Sequence, residues 1–380
     1  MSSIGFKIKQ HIKMLIQNVY LPSVYKKAVR HTEVDKNRVI FADMHSDSVP
    51  YSMQAMYERM KEEGYDVRLF CKDMSKMSNS ELIHFLKSFM KEYAAAGYVY
   101  ICSYFLPVSS CKKRPETKVI QLWHSGGLLK KMGYDTPDDI PENYKGDVTA
   151  NYDLVTVSSE VCIPVWENAL KLPKGITKAV GLARTDVYFD DDWNLERREE
   201  FYNLYPDARG KRVVLYAPSF SGNAADPKCV GMDGIRRVFE KLDENYFLII
   251  KPHPHLMNKY PEYRSERAMS MSSEDLFPVT SILITDYSSI LFDYSLFRKP
   301  FILFTPDLEE YKKTRGFYVD IESFPAPLAK TEEELERILV DKTYFDYSEQ
   351  DYEDFYTEYM GACNGNSIDN ILNEVKCLND

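Results

Sequence analysis

The 380-residue sequence lacks several patterns that would assign a compartment or a metal directly. It has no run of about 18 or more apolar residues, so nothing in it predicts a helix that crosses a membrane. The N-terminus has neither a continuous apolar core nor a small-residue cleavage site, which excludes a secretory signal peptide. The cysteines are odd in number and form no Cys-x-x-Cys pair, which predicts a reduced cytosolic protein without a cysteine-based zinc site. They are Cys71, Cys102, Cys111, Cys162, Cys229, Cys363 and Cys377.

Acidic residues are absent from the start of the chain, although the net charge of the whole is −10 and argues against general nucleic-acid binding. Six cations precede the first acid, Glu33: Lys7, Lys9, Lys13, Lys26, Lys27 and Arg30. Four apolar residues share one helical face: Ile8, Ile12, Leu15 and Val19. Pro22 is expected to end this helix. The pattern predicts binding to an anionic membrane surface, and packing on the protein's own surface is the alternative.

Short apolar runs alternate with helical patterns along most of the chain, which predicts parallel sheets covered by helices on both faces. Capping boxes predict helix starts at Ser78 and Thr331. Predicted strands cover 39–42, 67–71, 98–102, 119–123, 154–157, 213–217, 247–250, 282–284 and 301–304. A charged stretch near 190–200 separates the two halves, so we predict two doubly wound α/β domains that face a cleft. The predicted boundaries are 1–34, 35–192, 193–345 and 346–380.

Polar residues cluster where predicted strands end, which is where open α/β sheets bind ligands. His124 follows one strand and precedes Gly126 and Gly127, which permit close approach of a backbone. The turn from Thr285 to Ser289 joins a strand to a helix and predicts a phosphate site at the start of that helix.

Two further clusters are less specific. Arg184 lies in a turn with Asp186, a pair that is usually structural. Lys251, His253 and His255 alternate with prolines that fix the loop. Two histidines at this spacing can bind a metal, but no third ligand cluster accompanies them, so we favour phosphate contact and expect no metal and no cofactor.

These clusters together resemble the CDP-glycerol glycerophosphotransferase family, the enzymes of teichoic acid and related polyol-phosphate polymer synthesis. The resemblance extends from Val39 to the end of the late helix. It rests on motifs in a fixed order: Trp123-His124, Lys130-Lys131, Gly133-Tyr134, Gly181, Arg184, Asp186, Tyr216-Ala217-Pro218, Lys251-Pro252-His253-Pro254, Thr285 to Ser289, Phe292-Asp293, Pro306 to Tyr311 and Arg315 to Tyr318. Three places depart from the family pattern: Ser125 to Gly127 directly after His124, Ala183, and Asn364 to Asn366.

The resemblance implies a GT-B fold, with an acceptor-side domain over 35–192, a CDP-donor-binding domain over 193–345 and a C-terminal helical tail. It implies transfer of glycerol phosphate from CDP-glycerol to a hydroxyl of a polyprenyl-diphosphate-linked saccharide, with release of CMP, by a peripheral enzyme on the cytoplasmic face of the membrane. His124 is the expected general base, and His253 the second expected catalytic residue. Expected donor-binding residues are Arg184, Pro218, Lys251, His253, Thr285, Asp286, Ser288, Ser289, Asp293 and Arg315. Expected acceptor-side residues are His45, Gly126 and Gly127.

Three alternatives remain open at this point. CDP-ribitol shares the CDP group with CDP-glycerol, so the same donor motifs fit either compound. A GT-B glycosyltransferase that uses a nucleotide sugar is the second alternative, and a non-enzymatic lipid-binding protein is the third. The sequence does not distinguish an enzyme that adds the first unit from one that extends a polymer.

Overall fold

The computed structural model describes residues 14–140, 146–219, 221–223, 226–228 and 230–378. The strands are β1 Asp35–Asp43, β2 Asp66–Cys71, β3 Ala96–Ile101, β4 Lys118–Gln121, β5 Leu154–Thr156, β6 Thr177–Lys178, β7 Arg212–Tyr216, β8 Ser221–Asn223, β9 Asp226–Lys228, β10 Tyr246–Ile250, β11 Ile282–Thr285, β12 Phe301–Phe304 and β13 Leu328–Ala329. Each of the nine predicted strands is therefore confirmed. The two-residue strands β6 and β13 and the antiparallel hairpin β8–β9 were not predicted.

The α-helices are α1 Leu21–Val29, α2 Tyr51–Glu62, α3 Asn79–Tyr93, α4 Leu106–Ser109, α5 Cys162–Ala169, α6 Asp191–Leu204, α7 Met232–Lys241, α8 Pro254–Lys259, α9 Ile290–Ser295, α10 Leu308–Thr314, α11 Glu332–Asp341, α12 Glu349–Met360 and α13 Ser367–Cys377. Both predicted capping boxes are present, at Ser78 with Glu81 and at Thr331 with Glu334. Within the described part of the chain, no helix is long and apolar enough to cross a membrane.

The chain divides into two units. Unit 1 contains Met1–His124, Asn143–Asp186 and Asn366–Asp380, and unit 2 contains Ser125–Glu142 and Val187–Gly365. A connecting segment, Ser125–Glu142, thus leaves unit 1 directly after His124. Helix α12 lies in unit 2 and helix α13 in unit 1, so the C-terminal stretch is shared. The linear division by function that the sequence predicts stays a prediction, because these units are defined by proximity alone.

Unit 1 contains a six-stranded sheet in the order β2-β1-β3-β4-β5-β6, and each neighbouring pair is parallel. The run Val39–Ala42 of β1 is fully buried, as expected for a strand covered on both faces. Helices supply the cover on one face through methionines that repeat at helical spacing: Met53, Met56 and Met60 of α2.

Unit 2 contains a five-stranded parallel sheet in the order β10-β7-β11-β12-β13. Its strands are short and almost entirely buried, and helices α7 and α11 pack over one face. Two parallel sheets in an α/β arrangement confirm the α/β part of the predicted fold class. The carboxyl ends of parallel strands meet at one edge of each sheet, and these two edges position the candidate site residues.

The N-terminal stretch differs from the prediction at Pro22. A π-helix, Ile16–Tyr20, runs directly into α1, and Pro22 lies in the first turn of α1, where its missing N–H needs no partner. The prediction that Pro22 ends the helix is therefore wrong. Leu21 and Tyr25 of α1 are buried in unit 1. Ile8 and Ile12 of the predicted apolar stripe lie outside the described residues, whereas Leu15 and Val19 are 61% and 60% exposed.

Candidate functional site

His124 lies at the carboxyl edge of the unit 1 sheet, three residues after the end of β4, and its ring is exposed. Its Nδ1 is 2.8 Å from the carbonyl oxygen of Cys102, which follows the neighbouring strand β3. A carbonyl oxygen can only accept a hydrogen bond, so Nδ1 carries a proton and Nε2 is the basic nitrogen of the neutral ring. The contact therefore selects the tautomer that a general base needs.

The residue before His124 has an unusual backbone. Trp123 has φ = 54°, in the left-handed region that a bulky residue rarely occupies. Its N–H donates to the side-chain oxygen of Gln121, and its indole packs edge-on against Trp166 and stacks on the His124 ring at 4.8 Å. These contacts stabilise the strained backbone at Trp123 and orient the ring of His124. Strained backbone of this kind is common at functional sites.

A carboxylate that the sequence analysis missed organises the same edge. Asp43 ends β1 and is 2% exposed. It accepts hydrogen bonds from the backbone N–H of His45 at 2.8 Å and from the hydroxyl of Ser103 at 2.9 Å. His45 is exposed, and its predicted acceptor-side role stays a prediction. The rule that polar residues after buried strands form sites would have singled out Asp43, because it directly follows the apolar run that ends at Ala42.

The Arg184–Asp186 turn belongs to unit 1. Arg184 is 4% exposed and lies near Cys102, so its guanidinium is part of a buried polar region. Asp186 accepts hydrogen bonds from the backbone N–H groups of Ser367 and Ile368, at 2.9 and 2.8 Å, at the start of α13. Burial raises the pKa of Asp186, and these N–H groups partly offset that rise. The donor-binding role of Arg184 stays a prediction.

Three polar stretches meet at the carboxyl edge of the unit 2 sheet. Strands β10, β7 and β11 are adjacent in this sheet. The end of β10 leads into Lys251 and His253, the end of β7 into Pro218, and the end of β11 into the turn Thr285 to Ser289. The structure thus brings together most of the residues that the sequence predicts to bind the donor. The side chain of His255 lies outside the described part of the structure.

Two of these residues have structural contacts. The Lys251 ammonium donates to the carbonyl oxygens of Ala268 and Met271, and burial lowers its pKa. The Thr285 hydroxyl is buried and donates to the carbonyl oxygen of Ala217 at 2.7 Å. Both side chains stabilise loops at the sheet edge, and their donor-binding roles stay predictions.

Asp286 ties two loops together. Its Oδ1 accepts hydrogen bonds from the N–H of Ser219 at 2.7 Å and from its neighbour Tyr287 at 2.6 Å. Desolvation raises its pKa, whereas these hydrogen bonds and the charge of Lys130 lower it. A pocket with about 270 Å³ of open space lies beside it, at the ends of β7, β11 and β12. Its lining includes Tyr216, Ser219, Lys228, Asp286, Tyr287 and Asp307.

The serines of the predicted phosphate turn are both partly buried. Ser289 is the N-cap residue of α9 without a side-chain cap, while the Ser288 hydroxyl accepts from the N–H of Ile290 at 3.4 Å. Helix α9 has only six residues, so its dipole carries no argument for a phosphate site, and the donor-binding roles of Ser288 and Ser289 stay predictions. Asp293 in this helix is buried and accepts from the Tyr188 hydroxyl at 3.4 Å.

The connecting segment pairs with the loop after α10. The N–H of Tyr318 donates to the carbonyl oxygen of Leu129 at 2.8 Å, and that of Lys131 donates to Gly316 at 3.1 Å. Arg315 donates from Nε to the carbonyl oxygen of Lys131 at 3.0 Å. Its Nη1 lies 3.8 Å from Asp138. Arg315 therefore packs on the connecting segment within unit 2, and its donor-binding role stays a prediction.

Gly126 and Gly127 were predicted on the acceptor side, but both lie in the connecting segment and group with unit 2. Gly127 has φ = 62°, and a Cβ atom there would lie 2.5 Å from the Phe292 ring. The glycine therefore allows the segment to pack on α9. The acceptor-side role of the two glycines stays a prediction.

A family model described as CDP-Glycerol:Poly(glycerophosphate) glycerophosphotransferase matches residues 24–376. The chain belongs to this family. Its similarity to individual members is moderate. It is 31% identical to the teichoic acid glycerol-phosphate primase of Bacillus subtilis (strain 168), over 73% of this chain and 72% of that protein.

Relatives named for ribitol phosphate are similar to the same degree. The chain is 28% identical to the teichoic acid poly(ribitol-phosphate) polymerase of Bacillus spizizenii, over 89% of this chain and 56% of that protein. It thus spans little more than half the length of that relative. Family membership is shared by glycerol-phosphate and ribitol-phosphate proteins and does not choose between them.

A solved structure supports the fold. The wall teichoic acid polymerase TagF aligns over 100% of this chain and 98% of that one, with a TM-score of 0.72 and 19% identity. At that identity the match shows the fold alone, which is α/β and GT-B-like. One TagF variant was studied after a soak with CDPG.

Proposed function

We propose that this protein transfers glycerol phosphate from CDP-glycerol to a hydroxyl of a lipid-linked acceptor and releases CMP. The observation that carries the proposal is the 2.8 Å contact between His124 Nδ1 and the Cys102 carbonyl oxygen, in a chain of this family. When the ring is neutral, this contact leaves Nε2 as its basic nitrogen, which suits proton abstraction at the sheet edge.

The proposed reaction is a single displacement at phosphorus. Nε2 of His124 accepts the proton of the acceptor hydroxyl as the oxygen forms a bond to the phosphorus that carries the glycerol. The bond from that phosphorus to the oxygen bridging the two phosphates breaks, and the electron pair leaves with CMP. CMP is a good leaving group, so the protein mainly needs to align the groups and screen their charge.

The donor is proposed to bind at the carboxyl edge of the unit 2 sheet. His253, Ser288, Ser289 and Arg315 supply N–H and O–H groups that suit the oxygens of a diphosphate. The family and the CDPG-soaked TagF variant support a CDP-linked donor. Lys251 and Thr285 are left out of this set because their side chains donate to main-chain carbonyls.

CDP-ribitol is the second candidate donor. The specific observation in its favour is the 28% identity to the poly(ribitol-phosphate) polymerase, which is close to the 31% identity to the glycerol-phosphate primase. The two donors differ only in the polyol, so the contacts to CDP proposed above apply to both.

The acceptor is proposed to be a polyprenyl-diphosphate-linked saccharide at the cytoplasmic face of the membrane. The N-terminal stretch supports a membrane location, since it carries six cations and no acid, and since Leu15 and Val19 are exposed. Anionic lipid attracts such a segment, and exposed apolar side chains add burial in the interface.

A donor panel tests the proposal directly. We expect release of CMP from CDP-glycerol or CDP-ribitol when a lipid-linked acceptor is present, and much slower release without it. UDP-N-acetylglucosamine serves as the nucleotide-sugar control. Release of UDP from that sugar in an acceptor-dependent reaction, with no CMP from either polyol donor, would contradict the proposal.

A further inference from the structure

Lys130, Lys251 and Lys299 are lysines of unit 2 whose ammonium groups are desolvated. Lys130 differs from the other two in the hydrogen-bond acceptors around the ammonium. Lys299 donates to the carbonyl oxygens of Phe277, Pro278 and Thr280, and Lys251 donates to two carbonyl oxygens. For Lys130 the described residues show no hydrogen bond to the ammonium, only the nearby charges of Asp286 and Arg315. An ammonium that is taken from water without an acceptor is costly unless a partner arrives.

Backbone pairing fixes the position from which the Lys130 side chain extends. Lys130 forms an antiparallel bridge with Phe317. The Phe317 ring lies 5.6 Å from the ring of Tyr287 and 5.4 Å from that of Tyr311, and those two rings stack at 3.9 Å. Tyr287 directly follows Asp286 at the end of β11. Lys130 is thus held at the carboxyl edge of the unit 2 sheet by pairing and aromatic packing.

We propose that Lys130 is a donor-binding residue whose ammonium contacts the diphosphate of a CDP-linked polyol. This inference rests on the proposed function, because it names a further residue of the same donor site. Asp286 is one anion beside two cations, Lys130 and Arg315. The two negative charges of a diphosphate would balance this positive charge and supply the acceptors that the ammonium lacks.

Neighbouring Lys131 provides a matched control. Its side chain lies against Gly316, with the methylene Cδ 3.3 Å from where a Cβ of that glycine would be. Among the described residues its ammonium has no ion pair and no hydrogen bond, and its backbone pairing does not depend on the side chain. Lys131→Met therefore removes the same charge from the same segment without touching the proposed contact.

Calorimetry with CDP-glycerol, CDP-ribitol and cytidine tests the proposal. We expect Lys130→Met to weaken binding of the CDP-polyol that binds the wild type by about 10- to 100-fold, as for loss of a hydrogen bond between charged groups. Lys130→Arg should recover part of the loss, Lys131→Met should bind normally, and cytidine should bind all variants equally. If neither CDP-polyol binds the wild type, the proposed function fails first; if one binds Lys130→Met unchanged, only the Lys130 inference is overturned.

A labelling experiment on the wild type removes any dependence on how the variants fold. Acetic anhydride modifies uncharged lysine amines, and mass spectrometry reports Lys130 and Lys131 separately. We expect bound CDP-polyol to slow acetylation of Lys130 several-fold and to leave Lys131 unchanged. Equal rates at Lys130 with and without saturating donor would show a structural lysine paired only with Asp286, and would overturn the inference.

Discussion

The ring of His124 donates from Nδ1 to the carbonyl oxygen of Cys102, 2.8 Å away on the neighbouring strand end. The contact joins the ends of β4 and β3, so the sheet itself determines the orientation of the imidazole. Because the histidine is exposed and its acceptor is a main-chain atom, the ring can be removed without opening the core.

Replacing this ring is the sharpest test of the proposed base. We expect His124→Ala to lower kcat for CMP release by roughly 10²- to 10⁴-fold, the usual contribution of a general base. The melting temperature should change little, since one hydrogen bond at the surface is lost. His84→Ala, at an exposed histidine of α3 in the same unit, is the control and should retain activity. Near-normal kcat in a folded His124→Ala protein would exclude the assignment.

The donor site is tested by binding rather than turnover. His253→Ala and Ser289→Ala should each weaken CDP binding several-fold, because each removes a group proposed to contact the diphosphate. Ser323→Ala changes an exposed serine of unit 2 that donates to Asp320, and it should bind CDP normally. Unchanged CDP affinity in both site variants, measured by calorimetry, would remove these two residues from the donor site.

Gly127 offers a test of the packing of the connecting segment. Alanine at φ = 62° costs about 1–2 kcal/mol in backbone strain, and overlap with the Phe292 ring adds about 1–3 kcal/mol. Gly210→Ala is the matched control, since Gly210 has φ = 79° in the same unit and open space around it. We expect Gly127→Ala to lower the melting temperature clearly more than Gly210→Ala. Equal shifts would mean that the segment does not depend on this contact.

Much of the fold could be predicted from local patterns. Runs such as Val39–Ala42 are apolar at every position, which is the signature of a strand buried on both faces, and each of them is a parallel strand in the structure. The helix start at Ser78 could be predicted because a capping box depends on only two residues that lie three positions apart, here Ser78 and Glu81. The rule that ligands bind after such strands then placed His124 and the turn at Thr285 at sheet edges.

The remaining features depend on contacts between residues far apart in sequence. That Ser125–Glu142 groups with unit 2 follows from pairing with Arg315 to Tyr318, which no local pattern reports. The hydrogen bonds from the Lys251 ammonium to the carbonyl oxygens of Ala268 and Met271 could not be predicted for the same reason. The prediction at Pro22 failed because proline interrupts the interior of an α-helix but fits its first turn. In the structure Pro22 lies in the first turn of α1, which begins directly after the π-helix Ile16–Tyr20.

The charge of Lys130 predicts how donor affinity varies with pH. Burial lowers the pKa of Lys130 to about 8, and Asp286 partly offsets the fall while Arg315 adds to it. The ammonium is charged below that pH, so affinity for the donor should fall as pH rises from 7 to 9, while the diphosphate stays ionised throughout. Burial raises the pKa values of nearby Tyr287 and Tyr311 above this window.

A fixed charge at the same position isolates this effect. The guanidinium of Lys130→Arg stays protonated, so its donor affinity should be flat over the same range. The lowered pKa also makes the unfolded state bind more protons between about pH 8 and 10.5, so the destabilisation of the folded state by this charged lysine should shrink as pH rises there. Parallel affinity profiles for the wild type and Lys130→Arg would exclude Lys130 as the titrating group.

The membrane prediction can be separated from the stability of α1. Leu15 and Val19 are exposed, whereas Tyr25 is 3% exposed, lies 5.2 Å from the Tyr93 ring and accepts from the N–H of Arg114. Deleting the whole N-terminal stretch would mix the two roles. The double variant Leu15→Glu/Val19→Glu instead removes exposed apolar area and adds two negative charges without touching the core.

We expect this double variant to bind anionic vesicles at least about tenfold more weakly, because burial of two apolar side chains is lost and repulsion from the lipid is added. Its melting temperature should match that of the wild type, and transfer to a soluble short-chain acceptor should be spared. Leu195→Glu, at a 54% exposed leucine of α6, controls for a new charge elsewhere. If co-sedimentation with vesicles is unchanged while the melting temperature falls, the stripe packs on the protein and the membrane role is wrong.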